Sequence, residues 1–181
     1  MQRGPAADCG SRKKGARRAG VRAGLSLALC ALLQTVCADP AGAASNNVRI
    51  TGLSDVAFGT LANLSVDAVR TENICAFANS ATNGYNVRAS GSGSGGAFTL
   101  ASGTDTLPFD LQWNDSAGQS SGTQMTANVA LTGQVSTATQ QSCNSGPAVS
   151  ASLIVILRSA ALSSATAGSY NGSVTLVIGP E

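Results

Sequence analysis

The chain has 181 residues, 43% of them hydrophobic, which is room for one domain with a buried core. Only 11% are charged, 4% are aromatic and none is histidine. Those absences set aside the commonest general base, the Ser/Cys–His nucleophile pairs, an aromatic base-stacking platform and most transition-metal sites.

The charge is unevenly placed. Arg3, Arg12, Lys13, Lys14, Arg17, Arg18 and Arg22 precede an apolar run at 23–36, and small residues with the A-x-A pattern Ala41-Gly42-Ala43 follow. This order is that of a secretory signal peptide over residues 1–43, cleaved after Ala43, with the bond after Ala38 as second candidate. The apolar run is shorter than the roughly 20 residues that span a bilayer, so no membrane anchor is expected after cleavage. From Ala44 onward Arg49, Arg70, Arg88 and Arg158 stand against Asp55, Asp67, Glu72, Asp105, Asp110, Asp115 and Glu181. That acidic remainder has no phosphate-binding cluster, and no nucleic-acid partner is expected.

Cys9, Cys30 and Cys37 would leave with the leader, and Cys75 and Cys143 would stay. In an exported chain the expectation is one Cys75–Cys143 disulfide closing a long loop, with two buried thiols as the alternative. Two cysteines without histidine cannot complete a tetrahedral metal shell, and the spacing of Asp105, Asp110 and Asp115 fits no calcium loop, so no cofactor or metal is expected.

In chain order, Val48 and Ile50 alternate with Arg49 and Thr51, and Val56 and Phe58 flank Ala57 before Gly59. A short run, NICAFA, contains Cys75. Tyr85, Val87 and Ala89 alternate with polar residues, Phe98 and Leu100 flank Thr99, and Phe109, Leu111 and Trp113 alternate with Asp110 and Gln112. Each period-two segment reads as a half-buried strand. The Gly/Ser run 90–96 reads as a hairpin loop between two strands, and residues 116–127 as a mobile surface loop. Residues 128–142 are ambiguous, with Val129, Leu131 and Val135 suiting a weak edge strand. Ala151–Leu157 is continuously apolar, as a strand buried on both faces should be. Residues 160–167 read as a helical or irregular crossover, 168–172 as a turn and 173–178 as a last strand. About seven short strands with frequent turns indicate an all-β, immunoglobulin-like sandwich over 44–181.

Two stretches carry a family resemblance. Val56-Ala57-Phe58-Gly59-Thr60, followed by Cys75 in a strand and by Tyr85-Asn86-Val87, resembles the N-terminal half of the spore coat protein U family, which includes pilins of archaic chaperone–usher pili. Residues 167–176, containing Gly168-Ser169-Tyr170-Asn171-Gly172-Ser173-Val174, resemble the closing strand of many such pilins. The family often has a cysteine near the mature N-terminus where this chain has Asn46-Asn47-Val48, and the simplest pairing is then Cys75–Cys143. The resemblance implies an incomplete sandwich whose groove is filled by strand exchange. Val174, Leu176 and Ile178 would form the acceptor groove. Residues 44–53, with Val48, Ile50 and Gly52, would be the donor strand; residues 48–53 read equally as the first strand of the chain's own sandwich.

The implied role is a structural subunit of a surface pilus or fimbria, supporting adhesion or biofilm formation. Its expected partners are a periplasmic chaperone, an outer-membrane usher and neighbouring subunits. Its expected course is export to the periplasm and then the cell surface. The alternatives on the same fold are a secreted binding module or adhesin tip, with Trp113, Asp110, Asn114 and Asp115 near a sugar, or a spore-coat or surface-layer protein. Trp113 alternates with Leu111 and Phe109, which places it in the core instead. No catalytic residue set is legible, and the chain is not expected to be an enzyme.

Overall fold

The computed structural model describes residues 46–181; the expected leader and both candidate cleavage sites lie outside that range. The described residues form β1 (Asn47–Thr51), β2 (Ala68–Asn79), β3 (Gly84–Gly91), β4 (Thr99–Ser102), β5 (Asp105–Pro108), β6 (Asp110–Asn114), β7 (Thr123–Gln124), β8 (Ala130–Val135), β9 (Ala151–Leu157), α1 (Ser159–Ser164) and β10 (Val174–Pro180). Every strand pair is antiparallel. One sheet has the order β1-β2-β9-β6-β7, a second the order β10-β3-β8, and β4 and β5 form a separate hairpin. The expected all-β sandwich is present, and the succession β1-β2-β9-β6 follows the A-B-E-D order of immunoglobulin-like domains. The strand count exceeds seven because the β4–β5 hairpin and the two-residue β7 are added.

The apolar run Ala151–Leu157 becomes β9, buried at all seven positions, between β2 and β6 at the centre of its sheet. A central strand covered on both faces has no solvent side, which is why its pattern does not alternate. The period-two strands do alternate: in β6, Leu111 and Trp113 are fully buried while Gln112 is not. Tyr85, Val87 and Ala89 of β3 face them from the other sheet, all 0% exposed. Ala160-Ala161-Leu162 lies in α1, which buries Leu162 against the same core. The ambiguous 128–142 stretch supplies β8, an edge strand.

The Cys75–Cys143 disulfide is formed, with Cα atoms 5.9 Å apart. It pins the loop between β8 and β9 onto β2, where Cys75, Phe77, Ala138 and Cys143 make a small second cluster. Two buried serines complete this region. Ser150 Oγ accepts from the Ala76 N–H at 2.9 Å, and Ser136 Oγ donates to the Ala76 carbonyl at 2.6 Å.

Three segments depart from the sequence expectation. Val56–Phe58 alternates like a strand, yet residues 52–67 contain no regular strand. The chain turns at Gly52 (φ 79°) and Gly59 (φ 66°), left-handed conformations that suit glycine, and the segment is held by side chains of β2 in place of a backbone ladder. The Gly/Ser run 90–96 does not close a hairpin. It carries a single 3-10 turn at Ser94–Gly96 and passes to β4, which pairs with β5 and not with β3. Finally, residues 116–127 are tied down: the Gly118 N–H donates to Asn73 Oδ1 at 2.7 Å, the Gln119 N–H donates to Ser152 Oγ at 3.0 Å, and Met125 is buried.

Candidate functional site

β10 pairs with β3 on one edge only. The Ser92 N–H donates to the Ser173 carbonyl and the Glu181 N–H to the Gly84 carbonyl. In an antiparallel ladder this parity turns residues 173, 175, 177, 179 and 181 toward β3. The backbone groups of Val174, Leu176 and Ile178 therefore point away from the sheet, while their half-buried side chains pack on the core. Among the described residues no strand takes up that edge. Pro180, which has no N–H, ends it.

Beside the start of this edge lies a groove of about 1240 Å³. Its floor is apolar: Leu107 of β5, Phe109 between β5 and β6, and Leu153, Val155 and Leu157 of β9, with Leu162 of α1. One wall is the irregular segment 54–61, and the other runs from Ala165 to Val174. The 54–61 wall is held by side chains of β2 in place of a backbone ladder. Ser54 Oγ donates to Glu72 Oε2 at 2.6 Å, Arg70 Nε donates to the Ala57 carbonyl at 3.3 Å, and the Arg70 guanidinium stands 5.5 Å from the centre of the Phe58 ring. The far side is fixed through α1. Asp67 accepts the Ser159 N–H at 2.7 Å, and Arg158 bridges Asp67 at 2.9 Å and Asp110 at 2.6 Å. The Ser159 N–H and then the Arg158 guanidinium hold the Asp67 carboxyl below the ordinary value; Asp110 and then Asp67 raise that of Arg158.

Of the three expected acceptor residues, Val174 lines the groove, whereas Leu176 and Ile178 pack farther along β10. The expected donor residues Val48 and Ile50 lie in β1, paired in register with Ala78 and Ala76 of the same chain, and Gly52 follows at the turn. Sequence reasoning missed the rest of the groove. The alternation of Val56 and Phe58 was its one legible signal, since both side chains pack against the core and line the groove.

Trp113 is 0% exposed, its Nε1–H bonded to Tyr85 Oη, so it belongs to the core and cannot stack on a sugar. Asp110 is engaged by Arg158, and Asp115 Oδ2 accepts the Val135 N–H. A smaller polar hollow of about 350 Å³ lies between Asn114, Asp115, Ser121–Thr123 and Gln134. Among the described residues, no three His, Cys, Asp or Glu side chains are placed to hold a metal ion, and no helix is long and apolar enough to cross a membrane.

No protein-family model matches the chain, and no curated protein matches it. One similar solved chain comes from work on a chaperone-tip adhesin complex vital for synergistic activation of CFA/I fimbriae biogenesis. Identity is 18% and the TM-score 0.49, over 75% of this chain and 42% of that one. The chain thus spans less than half the length of that solved chain. The fold assignment rests on the strand order itself.

Proposed function

We propose that this chain is a structural subunit of a surface pilus or fimbria, exported by a leader over residues 1–43 and assembled by the chaperone–usher route. The observation that carries the reading is the free edge of β10 beside an apolar groove whose opposite wall, residues 54–61, forms no ladder. A strand laid there would satisfy backbone groups on β10 and place alternate side chains on the floor of Leu107, Phe109 and Val155. Left open, such an edge invites aggregation, which is the physical reason for a periplasmic chaperone to cover it first. The neighbouring subunit and an outer-membrane usher complete the partner set. The low charge of the mature stretch and the Cys75–Cys143 bridge suit a passive part in an oxidising compartment.

The test is purification with and without a co-expressed periplasmic chaperone. The expected result is a stable one-to-one complex with the chaperone that Val174→Lys disrupts, because the lysine places a charge at the groove mouth. A chain that is monomeric, refolds reversibly alone and ignores both chaperone and substitution would instead be a free binding module.

A further inference from the structure

Resting on that reading, we infer that β1 is a permanent strand of this domain and not the strand it lends, so that an incoming strand seats only at the Val174 end of β10. The argument starts from hydrogen-bond parity. Ala76 turns its N–H and C=O to Ser150 and Ser136, away from β1. Cys75 and Phe77, the next residues on either side, therefore turn theirs toward Thr51 and Arg49 of β1. Both residues are nearly fully buried, at 2% and 8% exposure. Withdrawing residues 47–51 to serve a neighbour would break this ladder and turn β2 into an uncovered sheet edge beside the core, the kind of edge that invites aggregation. It would also strip Val48 and Ile50 from the core.

Spacing gives the second, independent argument. Asn47 is opposite Asn79, the turn 80–83 leads into β3, and Tyr85 is opposite Pro180, so β1 lies along the C-terminal part of β10. The two strands approach to within 8 Å between Cα atoms without pairing. An inserted strand needs about 9.6 Å, two strand spacings of about 4.8 Å. Where β1 approaches β10 the seam is thus too narrow for a further strand, whereas Val174 lines the open groove. The chain accepts a strand there from a different donor, one with alternating apolar residues, and does not return residues 48–53.

A staple tests this on the full chain. Asn47 and Asn79 are register partners with exposed side chains, and Cα atoms about 5.5 Å apart across such a pair suit a disulfide. Oxidised N47C/N79C is compared with the wild type for self-association by light scattering, and for binding of a synthetic peptide copying residues 44–54. The expected result is an oligomeric state and association constant within about twofold of wild type, with no peptide bound. A staple that weakens self-association tenfold or more, or a bound peptide released by Val174→Lys, would overturn the inference while leaving strand exchange intact. If instead the chaperone complex itself fails to form, the wider reading falls, which is a different result. Should the staple hinder folding, hydrogen exchange on the unmodified chain reads the same point. The Cys75 and Phe77 amides should exchange as slowly as those of β9 when the subunit is free and when it is assembled; exchange more than 100-fold faster in either state counts against a permanent β1.

Discussion

Trp113 Nε1 donates to Tyr85 Oη at 3.1 Å, joining the five-stranded sheet to the three-stranded one through the middle of the core. The rings meet edge to face, with centroids 6.2 Å apart at 77°, a favoured arrangement for aromatic pairs. Both side chains are 0% exposed. Tyr85→Phe keeps the ring but leaves a buried indole N–H without its acceptor, and should cost about 1–3 kcal/mol. Urea unfolding of the two proteins, at unchanged slope, checks it.

The same pair sets an alkaline limit. Burial first, and the nearby negative charge of Asp115 second, push the Tyr85 phenol up to about 12, against the lowering effect of the bond from Trp113. A pKa raised by folding contributes stability that is complete below the unfolded value near 10 and is lost as pH rises from there through 12. Melting temperature should therefore fall across that window by more in the wild type than in Tyr85→Phe. Equal falls in both proteins would assign the loss to other groups.

Acid acts on the exposed Asp67–Arg158 ion pair. The Asp67 carboxyl is lowered by folding, so its contribution is complete above the unfolded value near 4 and is lost as pH falls through the folded one. The groups are exposed and screened, so the change is small. Asp67→Asn should flatten the acid limb of the stability curve below about pH 4, and added salt should narrow the difference from wild type. Melts at pH 3 and pH 7, each at two salt concentrations, read both effects.

Cys75 and Cys143 close a loop that includes β3 to β8. Replacing either by serine should lower stability by about 2–4 kcal/mol, the usual cost of losing a native bridge of this kind. Chemical unfolding under non-reducing conditions measures it, and peptide mapping of the wild type should find this linked pair.

What the sequence made legible follows from how each residue reports its surroundings. The core strands were readable because Leu111, Trp113, Tyr85 and Val87 alternate with polar neighbours, and β9 because it does not alternate at all. The groove was only half readable. Val174 shares its alternation with Leu176 and Ile178, so sequence alone treats all three as one wall. What separates them is the approach of β1, a tertiary distance with no local signature. Val56 and Phe58 show the same limit from the other side, since periodicity reports which side chains face the core and is silent on whether a backbone ladder forms. The ordering of residues 116–127 rests on Asn73 and Ser152, far away in sequence, and nothing within the segment announces it.

The register of β9 has a consequence for how the chain acquires its structure. Its two neighbours, β2 and β6, were laid down much earlier, and Ala68 waits for Leu157 while Asp110 waits for Ile156. β3 similarly waits for β10. Pairings of such long range carry a heavy loop-closure cost and form slowly. A chain emerging N-terminus first would therefore pass through a stage in which Ile74, Leu111 and Trp113 are made but uncovered, with the sheet centre still absent. The interval before β9 arrives is when this sequence is most exposed to misassociation, and slowing emergence beyond residue 150 should lengthen that interval in proportion.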